Sequence, residues 1–160
     1  MKAIRRSPGP HYQATIQLLR TSDVLWNSSR VLFNRWDLSV SQFNILNLLS
    51  APSQGMSQTE LGRALIMNRS NVTGLVDRLE KRGLVQRHAV PGDRRAYRVE
   101  LTAAGQALIE QILPHYYQGV EDVWGTISVK ETQHIASLLD RISNQTLKIA
   151  EELDHENEPE

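Results

Sequence analysis

A mainly α fold with one small β-hairpin is predicted by three observations. Ser-x-x-Glu/Gln pairs recur at Ser39–Gln42, Ser57–Glu60 and Ser128–Glu131, each heading a run of apolar residues at helical spacing. In such a pair the hydroxyl and the later side chain satisfy backbone N–H groups that a helix start leaves unpaired, so each marks an N-terminus. Residues 84–102, Leu-Val-Gln-Arg-His-Ala-Val-Pro-Gly-Asp-Arg-Arg-Ala-Tyr-Arg-Val-Glu-Leu-Thr, read as two strands around the turn Val90-Pro91-Gly92-Asp93. Directly before this hairpin, Asn68 as N-cap and Gly83 as C-terminal stop frame a helix over 69–82, one short turn after the helix opened by Ser57. Helix, turn, helix and hairpin in that order define a winged helix-turn-helix.

The elements follow in chain order. The first helix runs from about Pro10 to Trp36 with two apolar stripes. Tyr12, Ile16, Leu19, Trp26 and Phe33 form one; Leu18, Leu25, Leu32 and Trp36, interleaved by Ser22 and Ser29, form the other. A helix apolar on two faces needs two packing partners. Helices at 39–49 and 57–66 come next, then the turn Met67-Asn68 and the helix at 69–82. Leu61, Ala64 and Leu65 are expected to pack on Val72, Leu75, Val76 and Leu79, which fall at i, i+3, i+4 and i+7. Strands are predicted at 84–89 and 96–101, the second with Tyr97, Val99 and Leu101 on one face and Arg98 on the other. After Thr102 a helix carries Leu108, Ile109, Ile112, Leu113, Tyr116, Val120, Val123 and Trp124, with Pro114 as its expected kink. The last helix, 128–153, presents Ile135, Leu138, Leu139, Ile142, Ile149, Ala150 and Leu153.

The domain organisation that results has a basic flexible arm at 1–9 and a winged helix-turn-helix domain at 37–102. Helices at 10–36 and 103–153 form a flanking region, and 154–160 is an acidic tail. The flanking helices carry more apolar surface than a small central module can cover. A second copy packed in C2 symmetry would cover it, so they are expected to be dimerisation helices.

Composition narrows the class. The chain has 160 residues, enough for one domain with a proper core, and no cysteine, which excludes disulfides, thiolate zinc sites and thiol redox chemistry. No apolar run reaches the roughly 18 residues needed to span a bilayer, and the basic start lacks the apolar stretch of a signal peptide, so no membrane role is expected and the cytoplasm is the expected location. The five histidines form no His-x3-His pair. No Gly-rich phosphate loop, nucleophile–base arrangement or metal-ligand spacing stands out, so neither an enzyme nor a metal or other cofactor is expected.

A formal net charge of zero hides an asymmetry. From Gly62 to Arg98 nine Lys/Arg stand against three acids, whereas from Ala103 to Glu160 three bases stand against eleven acids. The basic block coincides with the helix-turn-helix and hairpin, where positive potential would meet phosphates. On the helix at 69–82 the side opposite the apolar face holds Ser70, Gly74, Asp77 and Lys81, with Thr73 and Arg78 beside it. Its first turn shows Arg69, Ser70, Asn71 and Thr73, hydrogen-bonding groups suited to base edges and phosphates of double-stranded DNA. Gly74 costs such a helix about 1 kcal/mol relative to Ala, for which close approach of DNA and close helix packing are equal explanations. At the hairpin tip Arg94 and Arg95 are placed to enter a minor groove, with Asp93 orienting one guanidinium.

The run Arg-Gly-Leu-Val-Gln-Arg at 82–87, then Asp93-x-Arg95, then Leu101-Thr102, resembles the winged-helix signature of the MarR family, and the order of flanking helices extends the resemblance over nearly the whole chain. Members of that family are dimeric transcription regulators, mostly repressors, and many release DNA when a small phenolic or anionic ligand binds. The resemblance implies a major-groove role for Arg69, Ser70, Asn71 and Thr73, and a minor-groove wing role for Arg95 with Asp93 and Arg94. It implies phosphate contacts for Arg63, Arg78 and Arg87. Two departures stand out: the first helix lacks the cysteine of peroxide-sensing members, and the chain lacks the histidine clusters of zinc-sensing ones.

The expectation is therefore a sequence-specific DNA-binding regulator, a ligand-responsive repressor acting as a homodimer on a pseudo-palindromic operator. The alternative is a winged-helix protein-interaction module that reads no DNA, against which the paired arginines at the tip speak. For a small aromatic or anionic effector, Trp26, Arg30, Phe43, His115 and Tyr116 are the candidate contacts, aromatic walls around a cation; for each ring taken singly, a place in the core is the commoner explanation.

Overall fold

The computed structural model describes residues 9–51, 55–90 and 93–156, without the side chains of Val90, of 93–96 and of 155–156. The expected turn at Pro91-Gly92, most of the N-terminal arm and the end of the acidic tail lie outside the described residues. The elements are α1 (Pro10–Phe33), a 3-10 turn (Asn34–Trp36), α2 (Val40–Leu49), β1 (Met56–Ser57), α3 (Gln58–Leu65), α4 (Arg69–Lys81), β2 (Val85–Val90), β3 (Asp93–Leu101), α5 (Ala103–Trp124) and α6 (Val129–Glu156). Among the described residues no helix is long and apolar enough to cross a membrane.

Each expected cap forms. Ser39 Oγ accepts from the Gln42 amide at 3.2 Å while Gln42 Oε1 accepts from the Ser39 amide at 2.9 Å. The Ser57–Glu60 pair does the same at 3.2 and 2.6 Å, and Ser128–Glu131 at 3.3 and 3.0 Å. Asn68 Oδ1 accepts from the Asn71 amide at 3.0 Å and so starts α4. Helix α4 ends as the sequence predicts, because Gly83 takes φ +68°, a left-handed conformation that glycine adopts without a steric penalty. The Gly83 and Leu84 amides then donate to Glu80 O (2.8 Å) and Leu79 O (3.0 Å).

Three elements differ from expectation. Strand β3 begins at Asp93, inside the turn expected at 90–93, and not at Ala96, because Asp93 already pairs with Val90 of β2. The first helix gives way after Phe33 to a 3-10 turn, closed by Asp37 at φ 53°. The hairpin also gains a third strand: the antiparallel sheet has order β1-β3-β2, with Met56 opposite Val99 and Ser57 opposite Arg98. In the hairpin Val85 pairs with Leu101 and Arg87 with Val99, and the register shifts between Ala89 and Val90.

The chain divides into two compact units, one reaching Leu113 and the other beginning at Pro114, within α5. The first holds the core. Phe33 stacks on Phe43 with ring centroids 4.0 Å apart, which fixes the C-terminal turn of α1 against α2. Ile45 and Leu46 of α2, Leu61 of α3, Val72, Val76 and Leu79 of α4, Val99 of β3 and Ile109 of α5 are fully buried with them. Ala64, expected at the α3–α4 contact, is exposed; Gly62 is buried there, where a Cβ would sit 2.9 Å from Met67 O. The start of α5 is pressed onto the start of β2: a Cβ on Gly105 would come within 2.0 Å of Leu84 O. Thr102 fastens the same junction, its hydroxyl donating to Gly83 O (2.6 Å) and accepting from the Gly105 amide (3.0 Å).

Candidate nucleic-acid interface

Helix α4 presents its polar side outward because its apolar side is consumed by the core, Leu75 at 8% being the most exposed of Val72, Leu75, Val76 and Leu79. Arg69, Ser70, Asn71 and Arg78 are exposed, as is Arg63 on α3. Ser70 Oγ donates to Asn68 Oδ1 at 2.9 Å, so its lone pairs remain available as acceptors. Ser70, Asn71, Gly74 and Arg78 line one concave surface of about 400 Å³ together with Ser41, Met67 and Leu75. A Cβ on Gly74 would meet only Arg78 Nη1, at 3.8 Å, so helix packing does not require glycine there.

Thr73 differs from its neighbours. Its hydroxyl lies 2.9 Å from Arg69 O and 2.8 Å from the Gln58 side-chain amide of α3, which places it at the helix–helix seam rather than on the open surface. Asp93, Arg94 and Arg95 lie on the backbone of β3 next to the hairpin turn, and their side chains are outside the described residues.

Arg87 takes a place that sequence reasoning did not give it. Its guanidinium, 20% exposed, lies 2.5 Å from Asp77 Oδ1 and also binds Glu80, both on α4. Its backbone amide donates to Glu80 Oε1 at 3.2 Å. Arg82 is likewise committed, donating to Trp36 O (3.1 Å) and Asp37 O just beyond the end of α1. On the other side of the sheet Arg98 donates to Gly55 O and lies 3.8 Å from Glu60. The Ser57 backbone and side-chain hydrogen bonds, and after them the charges of Arg98 and Arg63, hold the Glu60 carboxyl below its ordinary range. Only spacing hinted at these pairs: Asp77 and Glu80 lie at i, i+3 on one helix, with a strand arginine across the Gly83 turn.

The candidate effector contacts are divided. Phe43 is wholly buried in its stack with Phe33, while Trp26 (44% exposed) and Arg30 lie on the solvent side of α1. His115 and Tyr116 belong to the second unit.

A helix-turn-helix with an exposed polar recognition face and an adjoining three-stranded wing defines a class of transcription regulators. The family model described as MarR family matches residues 36–96. The chain is 32% identical over 128 residues to the HTH-type transcriptional regulator PecS of Dickeya dadantii (strain 3937), over 78% of this chain and 76% of PecS. It is 27% identical over 129 residues to the transcriptional repressor MprA of Escherichia coli (strain K12), over 76% of this chain and 73% of MprA. Among solved structures, the S. aureus MepR–DNA complex is similar in fold, with a TM-score of 0.77 at 20% identity over 83% of this chain and 97% of MepR. The chain belongs to the MarR family and is a winged helix-turn-helix regulator of transcription, not an enzyme.

Proposed function

We propose that this chain is a dimeric, ligand-responsive repressor that reads a pseudo-palindromic operator with α4 in the major groove and the β2–β3 wing in the neighbouring minor groove. The observation that carries the reading is the outward face of α4, where Arg69, Ser70, Asn71 and Arg78 stand exposed on a helix whose other side is core. Arg69, Ser70 and Asn71 contact base edges, Arg63 and Arg78 contact phosphates, and Arg95, flanked by Arg94 and Asp93, enters the minor groove. Thr73 acts at the seam, by fixing the start of α4. The family relationship and the name of MprA favour repression, and a protein that works on DNA suits the cytoplasm.

Dimerisation is supported by the apolar residues left exposed on the terminal helices: Leu19, Val24 and Val31 on α1, and Ile142, Leu147 and Leu153 on α6. For the effector, Trp26 and Arg30 lie one turn apart on α1, an aromatic ring beside a cation, which suits a small aromatic acid.

Selection of bound duplexes from a random DNA pool tests this reading. The expected product is an inverted repeat with half-sites about 10 bp apart, one helical turn; recovery of nothing above background overturns it. In the same assay Arg95→Ala weakens operator binding while its thermal unfolding matches wild type, and tight binding by a folded Arg95→Ala protein removes the wing assignment.

A further inference from the structure

We infer that Arg87 is a positioning residue, a clamp that sets the wing at a fixed angle to the recognition helix, with Asp77, Glu80 and Gln58 as the groups that hold it. The inference rests on the operator-reading function proposed above and reassigns Arg87 from phosphate contact to that clamp.

Three observations carry it. First, the fork of Arg87 is divided between two carboxylates one helical turn apart, Asp77 and Glu80, both on α4. A planar guanidinium bound at both ends has a fixed orientation, which a lysine ammonium cannot reproduce. Second, Glu80 also accepts from the Arg87 backbone amide at 3.2 Å, so it grips the strand itself as well as the side chain. Strand β2 is an edge of the sheet, and this amide faces away from β3 toward α4. Third, Gln58 of α3 completes the set. With its amide turned to suit both neighbours, its nitrogen donates to Thr73 Oγ1 at 2.8 Å and its oxygen accepts from Arg87 Nε at 3.3 Å and Nη2 at 3.1 Å. One hydrogen-bonded chain thus joins the helix before the turn, the recognition helix and the wing.

Phosphate binding would require Arg87 to leave two carboxylates that already neutralise it. Clamping uses the contacts as they stand. The angle between wing and helix decides whether major-groove and minor-groove contacts are made together, so the clamp acts on specific binding. It leaves general attraction to DNA untouched.

The two roles predict opposite signs. Asp77→Asn and Glu80→Gln remove negative charge from a DNA-facing module and would free Arg87. If Arg87 contacts phosphate, these variants bind DNA more tightly, with a steeper dependence on salt. If it is a clamp, both variants and Arg87→Lys lose affinity for the selected inverted repeat by roughly tenfold, the middle of the range for residues sharing one network. Their affinity for a scrambled duplex does not fall, and for the charge-conserving Arg87→Lys it and the salt slope stay at the wild-type values, whereas loss of a phosphate contact weakens both duplexes alike. Tighter binding by Asp77→Asn or Glu80→Gln, equal losses on both duplexes, or no loss by Arg87→Lys each overturns the clamp. Failure of the wild-type chain to bind any duplex is instead the failure of the operator reading and is seen before any variant is compared. The clamp is then read without DNA, from hydrogen exchange at the Arg87 amide. That amide is expected to be protected in the wild type and fast in Glu80→Ala; a fast amide in the wild type overturns it.

Discussion

Helices α4 and α6 are both amphipathic, yet they treat their apolar faces in opposite ways. The apolar face of α4 is closed: Val72, Val76 and Leu79 are fully buried within the first unit. Leu138, Ile142, Ile149 and Leu153 lie along one side of α6 and are 39–52% exposed. A helix whose apolar side is satisfied internally is held rigid with its polar side free for recognition. A helix whose apolar side stays open to water carries a surface for association. The reading and pairing proposed for this chain would thereby fall on different parts of it.

The largest expected effects come from swapping these treatments. Leu46→Ala removes a fully buried side chain of α2 and should lower the free energy of unfolding by about 2–5 kcal/mol, seen as an earlier midpoint in urea. The double change Ile142→Asp with Ile149→Asp on α6 should leave the winged helix folded while sedimentation velocity shows monomer in place of dimer. Unfolding of the wild type should depend on protein concentration, and that dependence should vanish in the double variant. A dimer that survives both aspartates places the pairing surface elsewhere.

A smaller change sharpens the same division on α4 itself. A Cβ at Gly74 would make only an ordinary van der Waals contact, with Arg78 Nη1 at 3.8 Å, so Gly74→Ala should stabilise the helix by about 1 kcal/mol. If DNA approaches α4 closely at that point, the same substitution weakens operator binding. A more stable protein that binds less well confirms that the glycine serves the interface; unchanged binding with higher stability leaves it without an interface role.

The contrast was only partly legible in the sequence. Caps, helix faces and the hairpin follow from contacts within a few residues, and all three capping boxes, the Asn68 cap and the Gly83 stop could be read in advance. What escaped depends on chain segments that meet only after folding. Strand β1 is two residues long, too short for any period, and exists because Val99 and Arg98 of β3 come alongside it. Nothing near Gly105 in the sequence marks the approach of Leu84 O, 21 residues earlier in the chain. Arg87 looked like one more cation in a basic block, since sequence counts charges without showing which carboxylates face them. Phe43 sits in the core with Phe33, the commoner place for such a ring, while Trp26 stays exposed. Aromatic residues at helical spacing carry no mark of which face closes and which stays open.

The caps supply the smallest and most local test, because α2 and α3 start with the same box built from different chemistry. Gln42 closes the α2 box and does not titrate; Glu60 closes the α3 box as a carboxylate held below its ordinary range by its hydrogen bonds to Ser57. A carboxyl lowered in the folded state adds stability that is complete above its unfolded-state pKa and disappears as pH falls through its folded-state pKa. Because Glu60 is on the surface, solvent screening keeps the effect to about 0.5 kcal/mol. Urea midpoints of the wild type should therefore drop slightly further on acidification than those of Glu60→Gln, which retains an acceptor for the Ser57 amide as Gln42 does for Ser39. Parallel pH profiles for the two proteins would mean that the α3 cap works through hydrogen-bond geometry alone, with no contribution from the charge.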